Sequence, residues 1–269
     1  MKKEYLKRKA CWFIIQGSDS VLINRNDTFP DDLDVLSIQP LFLRRFYLGL
    51  SEEVEYYCAE IGEIKNHHDL FKVISLRQAL LLMSIDDYTI GVKAYSVIHW
   101  DKNHQFCGRC GRKTTHDSKH FERSCPFCQI SFFPRISPSI IVLIHNADHL
   151  IMARSPHFPP GVYGLIAGFV EVGETIEEAI HREVQEEVGL KIKNITYFGS
   201  QPWPFPDSLM LAFMAEYDSG DVTIDNHEIE DAGWYRYDQL PGRPSTSISI
   251  ASILIDDFLR ACSEKQVKF

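Results

Sequence analysis

Glu183, Glu186 and Glu187 stand at i, i+3 and i+4 in the run Arg182-Glu-Val-Gln-Glu-Glu-Val-Gly-Leu190. On a helix that spacing projects three carboxylates from neighbouring positions on one side. Like charges so placed oppose one another by roughly a few tenths of a kcal/mol per pair on an exposed helix. A cluster that persists despite the repulsion points to a cation. Carboxylate oxygens are hard ligands that select Mg²⁺ or Mn²⁺, and Mg²⁺ typically binds through a few carboxylates together with substrate phosphates. A bare E-x-x-E-E is more often an acidic, solvated helix face, so its flanks must decide.

A second constellation is sulfur. Cys107-Gly-Arg-Cys110 and Cys125-Pro-Phe-Cys128 are two Cys-x-x-Cys knuckles within one short segment. Each knuckle offers two thiolates to one tetrahedral ion, and the pair closes a four-sulfur zinc shell. A closed shell has no open coordination position, so the zinc is expected to be structural. His104, His116 and His120 lie nearby but are not needed as ligands. The segment is also basic, with Arg109, Arg112, Lys113, Lys119 and Arg123. A solvated face is the favoured reading of that charge, with nucleic-acid contact as the competing one.

The third is Ser200-Gln-Pro-Trp-Pro-Phe-Pro-Asp-Ser208. Three prolines at alternate positions forbid a central strand and predict an extended, rigid loop. Trp203 and Phe205 on such a loop would make a platform for a flat ring. Stacking of that kind is worth ~1–3 kcal/mol per base in nucleic-acid systems. A proline-stiffened connector with core aromatics explains the run equally well from its residues alone.

The elements that must position these groups follow from pattern. Thr175 is an N-cap with Glu178 three residues on, a capping box. Ile176, Ala179, Ile180, Val184 and Val188 recur at helical spacing, and Gly189 is placed for a left-handed helix end, so a helix is expected over Thr175–Val188. Strands are expected at Ser139–Ile144, His149–Ala153, Tyr163–Glu171, Ile195–Gly199, Leu209–Tyr217 and Ala232–Tyr237, with a terminal helix over about Ser247–Cys262. Earlier in the chain, Cys11–Ile15 and Val21–Asn24 read as strands, and Leu76–Ile85 and Ile90–Trp100 as helices. Three domains result: residues 1–100 mixed α/β, 101–134 a zinc ribbon, and 135–269 the α/β part carrying the acidic helix.

Bulk properties narrow the class. The chain has 269 residues, 45% apolar and 24% charged, which is ordinary for a globular protein. No run approaches the ~20 apolar residues of a membrane span, and the apolar run Cys11–Ile15 behind the basic first residues is too short for a signal-peptide core. Seven cysteines, four of them in the knuckles, leave an odd three. A reducing compartment accommodates them, so a cytoplasmic location is expected. A net charge of −9 argues against a broad, nonspecific nucleic-acid binder.

Taken together, Gly-x5-Glu-x7-Arg-Glu-Val-x-Glu-Glu-x-Gly-Leu over Gly168–Leu190 resembles the full Nudix signature at every defined position. The S-Q-P-W-P-F-P-x-S run, the four-cysteine ribbon ahead of it and a further N-terminal domain resemble the NADH pyrophosphatase subfamily of that family. The resemblance covers residues 100 to 262 with specific motifs and is weak before them. It implies an α+β protein whose Nudix part is an α/β/α sandwich with a mixed sheet. It implies Glu183 and Glu187 as Mg²⁺ or Mn²⁺ ligands, with the Ala167 carbonyl and Glu228 completing the set, and Glu186 as a ligand or a support for the metal-bound water. Glu187 is favoured as general base. Gly168, Glu174, Arg182 and Gly189 are implied as structural support. Substrate contacts are implied for Gln201, Pro202, Trp203, Pro204, Phe205, Pro206, Asp207 and Ser208, for Ala251 in the terminal helix, and for Arg77 in the N-terminal domain. Phe133 stands where relatives often have Tyr, so its ring could stack while a hydroxyl contact is lost.

The expected activity is Mg²⁺- or Mn²⁺-dependent hydrolysis of the pyrophosphate of NADH or NAD⁺ to nicotinamide mononucleotide and AMP, by a homodimer. The alternative is the same chemistry on the NAD cap of an RNA 5′ end. A third reading is a non-catalytic, dinucleotide-sensing zinc-ribbon protein.

Overall fold

β-Branched and aromatic residues make the first strand, Lys9–Gln16 (β1), at the centre of a five-stranded sheet. Its companions are Ser20–Asn24 (β2), Phe42–Ser51 (β3), Val54–Ile61 (β4) and Phe71–Ser75 (β5), in the order β3-β4-β1-β2-β5. β1 and β4 are parallel, and the other pairs are antiparallel. In this computed structural model, residues 9–51, 53–62, 70–117, 120–224, 228–243 and 249–266 are described. The chain divides into two units, Met1–Arg135 and Ile136–Phe269.

Two helices follow β5, as expected, but the boundary between them lies earlier: they are Leu76–Leu82 (α1) and Ile85–Asn103 (α2), where the sequence pattern reads Leu76–Ile85 and Ile90–Trp100. The break is chemical. The Ser84 hydroxyl accepts from the Asp87 backbone N–H (3.1 Å), which caps a new helix in place of continuing the old one. After α2 come Thr115–Asp117 (β6), Glu122–Cys125 (β7) and Ile130–Phe132 (β8), a three-stranded antiparallel ribbon.

Arg123, read from sequence as part of a solvated basic face, is buried. Its guanidinium is ion-paired to Asp101 at the end of α2, and Nε donates to Thr114 Oγ1 (2.8 Å). Arg44 Nη1 reaches the other Asp101 oxygen at 2.9 Å. A desolvated guanidinium must be paired, and one carboxylate satisfies two of them. Lys119, part of the same charge reading, lies outside the described residues.

In the second unit, strand alternation builds three layers. Ser137–Asn146 (β9), His149–Arg154 (β10), Ile166–Phe169 (β11), Lys191–Trp203 (β12), Ser208–Ser219 (β13) and Asp231–Arg236 (β14) form a six-stranded sheet in the order β12-β13-β9-β10-β14, with β11 on β9. The sheet is mixed, β13 and β9 being parallel. Along β9, Ile140, Val142 and Ile144 pack with Ala179, Ile180, Val184 and Val188 of the helix Ile176–Val188 (α3). Their alternate neighbours Ile141 and Leu143 pack with Leu254, Ile255 and Phe258 of the helix Ile250–Gln266 (α4). One strand therefore feeds two cores, and burial of each such side chain is worth ~1.5–3 kcal/mol.

β9 and β10 pair only near their turn, at His149–Asn146 and Leu150–His145. Beyond it β11 takes the edge of β9 from Val142 to Ser139. This strand is shorter than the expected Tyr163–Glu171, because Gly164 makes only an isolated bridge to Ala153. The start of the terminal helix, expected near Ser247, is Ile250, and Ser247 lies outside the described residues. No helix among the described residues is long and apolar enough to cross a membrane.

Candidate active site

The acidic helix starts where its cap places it. Thr175 Oγ1 accepts from Glu178 N (3.2 Å), and Glu178 Oε2 accepts from Thr175 N (2.8 Å). Gly189 ends it with φ +69°. That is left-handed backbone, in which a Cβ is disfavoured.

Between these ends α3 buries its apolar stripe together with two of its three central carboxylates. Glu183 and Glu187, one turn apart, are each 7% exposed, whereas the Glu186 side chain is 59% exposed. The i, i+3, i+4 spacing does not put the three in equivalent places. The four-residue pair turns inward beside the sheet, and Glu186 faces outward.

Gly168 on β11 makes room for Glu183. A Cβ there would lie 1.9 Å from Glu183 Oε1 and 2.0 Å from its Cδ, so any other residue would evict the carboxylate. Gly168 O accepts from Ser139 Oγ at 2.9 Å, which fixes the strand locally. Glu187 lines a cavity of about 390 Å³ with Ala167, Glu228, Ser155, His157 and Phe158. Glu228 follows residues 225–227, which lie outside the described residues.

Arg182 ties the preceding loop to the helix. Its Nε and Nη2 donate to the two oxygens of Glu174 (2.8 and 3.0 Å), and Nη2 also donates to Phe169 O (2.9 Å). Nη1 donates to Glu183 Oε1 (2.8 Å) and Glu186 Oε2 (3.0 Å). The paired guanidinium holds the Glu174 carboxyl below its usual range.

Burial acts the other way on the inner pair. Desolvation, and then the charges of Glu183, Glu228 and Glu186, push the Glu187 carboxyl up to about 8. Desolvation also raises Glu183, against the pull of Arg182. Two buried carboxylates that resist ionisation, one of them seated in a cradle that a methyl group would fill, form a hard-oxygen donor set suited to Mg²⁺ or Mn²⁺. They are spread wider than thiol ligands. Among the described residues, only the four cysteines bring three or more ligand atoms within 4.8 Å of one another.

Those sulfurs belong to Cys107, Cys110, Cys125 and Cys128. Backbone N–H groups of Cys128 and Phe127 favour ionisation of Cys125, which falls to about 7. Hydrogen bonding to Cys110 and Cys125 then raises Cys128 to about 12. A second thiolate is opposed by the first unless a cation is shared, and the donor set fits zinc. His104 is engaged elsewhere, its Nδ1 lying 2.7 Å from Trp100 O.

The proline-rich run is not an extended loop. Gln201, Pro202 and Trp203 complete the edge strand β12, paired with Met210, Leu209 and Ser208, and a turn over Pro204–Asp207 leads into β13. An edge strand tolerates Pro202 because its missing N–H need face no partner. Trp203 and Phe205 meet edge to face (5.4 Å, 64°), forming a corner and not a flat platform. Pro204 and Ser208 are buried and Pro206 is exposed. Gln201 Oε1 accepts from Ile250 N (2.8 Å) at the start of α4, one residue before Ala251. Asp207 Oδ1 accepts from Ser137 Oγ (2.9 Å). Two of the expected substrate contacts thus hold the scaffold.

Arg77, on α1, and Phe133, just after β8, belong to the first unit, and both are exposed. His157 and Phe158 of the cavity were missed from sequence. The only signal for them was the Pro159-Pro160-Gly161 turn that follows.

Three family models match in series. They are an NADH pyrophosphatase-like rudimentary NUDIX domain over residues 9–100, an NADH pyrophosphatase zinc ribbon domain over 102–133, and a NUDIX domain over 135–254. The chain is 45% identical over 210 residues to the NAD-capped RNA hydrolase NudC of Chromobacterium violaceum, covering 78% of each chain. It is 39% identical over 266 residues to the NAD-capped RNA hydrolase NudC of Haemophilus influenzae strain PittEE, covering 93% of each. A NUDIX hydrolase structure from Nitrosomonas europaea matches with a TM-score of 0.46 at 17% identity, covering 60% of this chain and 92% of that one.

Proposed function

The chain belongs to the Nudix hydrolases, in the NADH pyrophosphatase group with a zinc ribbon, and on that premise we propose that it hydrolyses the central pyrophosphate of NADH or NAD⁺ to nicotinamide mononucleotide and AMP. The observation that carries the reading is the buried Glu183–Glu187 pair, one carboxylate over Gly168 and the other lining a cavity with Ala167 and Glu228.

Glu183, Glu187, Glu228 and the Ala167 carbonyl would hold the divalent cation, with Glu186 at the exposed margin as a support. When bound, Mg²⁺ or Mn²⁺ neutralises pyrophosphate charge and acidifies water. A carboxylate oxygen of Glu187 takes the proton of the attacking water, since neighbouring positive charge lowers a carboxyl that burial alone keeps neutral. Arg182, held by Glu174, keeps Glu183 in place. Gly168 and Gly189 allow the close approaches at the two ends. The Trp203–Phe205 corner receives a flat ring of the dinucleotide, with the Pro202, Pro204 and Pro206 backbone fixing its walls. Arg77, Phe133 and Ala251 are assigned substrate contacts on the resemblance alone.

Glu187→Gln tests this directly. Turnover of NADH with Mg²⁺ should fall by ~10²–10⁴-fold, the usual worth of a positioned general base. Undiminished turnover would remove Glu187 from the chemistry.

The second reading, removal of an NAD cap from RNA, is favoured by the names of the relatives from Chromobacterium violaceum and Haemophilus influenzae. RNA contact through phosphates would make affinity for NAD-capped RNA steeply salt-dependent and that for free NADH less so. We further infer a homodimer in the cytoplasm. The non-catalytic sensor reading has no support in a chain that matches named hydrolases over nearly its whole length.

A further inference from the structure

The first unit holds a cavity of about 460 Å³ that shares no residue with the carboxylate site. Its floor is a row of rings set by strand register. Tyr47 of β3 pairs with Tyr57 of β4, and Tyr57 with Trp12 of β1, so three aromatic side chains lie side by side on one face. Trp12, only 5% exposed, stacks behind Tyr57 (4.7 Å, 15°), and Tyr47 tilts against Tyr57 (5.3 Å, 57°). Tyr47 keeps 51% of its surface exposed.

Polar groups stand around this floor with capacity to spare. Asp32 Oδ1 accepts from Trp12 Nε1 (2.9 Å), which leaves its second oxygen for a further donor. His116 Nε2 is buried with no hydrogen-bond partner among the described residues, its ring edge-on to Phe46 (5.1 Å, 76°), the neighbour of Tyr47 that faces the other side of β3. Arg45, exposed at the cavity, has no ion-pair partner among the described residues. A cavity that served packing alone would not gather a guanidinium without an ion-pair partner among the described residues and a half-used carboxylate beside two accessible tyrosine rings. The volume falls in the range of about 300–1,000 Å³ typical of small-molecule sites.

We propose that this cavity binds a free nucleoside monophosphate, its base against Tyr57 and Tyr47 and its phosphate at Arg45. Tyr47 and Tyr57 offer π-faces to any base, and Asp32 accepts from an exocyclic amine. The guanidinium supplies the bidentate fork that phosphate favours. The assignment stands independently of the hydrolytic reading, because it uses none of the same residues.

Photolabelling of the full-length, zinc-loaded protein with azido-AMP, without Mg²⁺, tests it. Saturable label is expected in the peptides that carry Tyr47 and Tyr57. AMP should displace it at least about tenfold better than adenosine, the loss expected for one charge-assisted contact. Arg45→Glu and Tyr47→Ala, both at exposed positions, should each cut that label about tenfold and leave kcat and KM for NADH unchanged. Label confined to residues 136–269, or undiminished in both variants, overturns the proposal. So does displacement by adenosine equal to that by AMP. Displacement by oligoadenylate, matched in nucleotide concentration to AMP and equally effective, overturns the assignment to a free mononucleotide.

Discussion

The two ligand clusters of this protein, the four thiols of the ribbon and the carboxylates of α3, are assembled in opposite ways. The thiols come from two knuckles within one short segment, and all four sulfurs lie within 4.8 Å of one another. The carboxylates come from a helix, with a strand backbone and a residue beyond β13 beside them, and they do not converge to that degree. A shell that closes on one ion has nothing left to offer a substrate. An open, spread set leaves coordination positions free and keeps its charges apart through Arg182. Closure suits the ribbon to a structural role, and openness suits the α3 cavity to the chemistry proposed for it.

The largest test of that contrast is removal of one sulfur. Cys125→Ser should lose stoichiometric zinc and most of the folded first unit, because structural zinc binding is worth ~10–16 kcal/mol in small zinc domains. Zinc content and thermal unfolding would show it; an unaltered melting profile would break the comparison. Glu187→Gln should do the reverse, losing activity while keeping the fold.

A pH series sharpens the point. The folded-state carboxyl of Glu187 is raised from 4.5 to about 8, so between those values the unfolded chain binds fewer protons than the folded one. Metal-free stability should therefore fall as pH rises through that window and level off above it. Glu187→Gln should flatten this slope and stabilise the metal-free protein at about pH 8 by on the order of 2 kcal/mol, measured by urea unfolding. A slope that survives the substitution would place the buried proton elsewhere.

Smaller effects follow for the groups that position the carboxylates. Gly168→Ala should displace Glu183 and reduce kcat by up to ~10²-fold, since a misplacement near 1 Å has that scale. The melting temperature should change far less than in Cys125→Ser. The smallest change is Gln201→Ala, which removes the bond to Ile250 N. A stability loss of about 1 kcal/mol is expected, with KM for NADH moving less than kcat does in Gly168→Ala. A large KM effect without a stability loss would return Gln201 to direct substrate contact.

Much of the second unit was legible because its signals are local. The Thr175–Glu178 capping box, the stripe Ala179, Ile180, Val184 and Val188, and the glycine stop at 189 each depend on residues within a turn or two. The cysteine knuckles are equally local. The misreadings share a cause as well. Met83 and Ser84 sit inside a run whose hydrophobic periodicity continues, so the break between the two helices reads a few residues late, and its position showed only once Ser84 Oγ had taken Asp87 N–H. Arg123 looked like surface charge because Asp101, which buries it, lies 22 residues away.

By itself, then, the order of residues determined which chemical groups this protein owns and which helices and knuckles carry them. Spacing along one element is a matter of backbone geometry over a few residues. Tertiary structure alone decided that Glu183 and Glu187 turn inward while Glu186 does not, that Gly168 is the wall against which Glu183 sits, and that Gln201 and Asp207 brace the scaffold. Those outcomes depend on which surfaces exclude water, and solvent exclusion is set by elements distant in the chain.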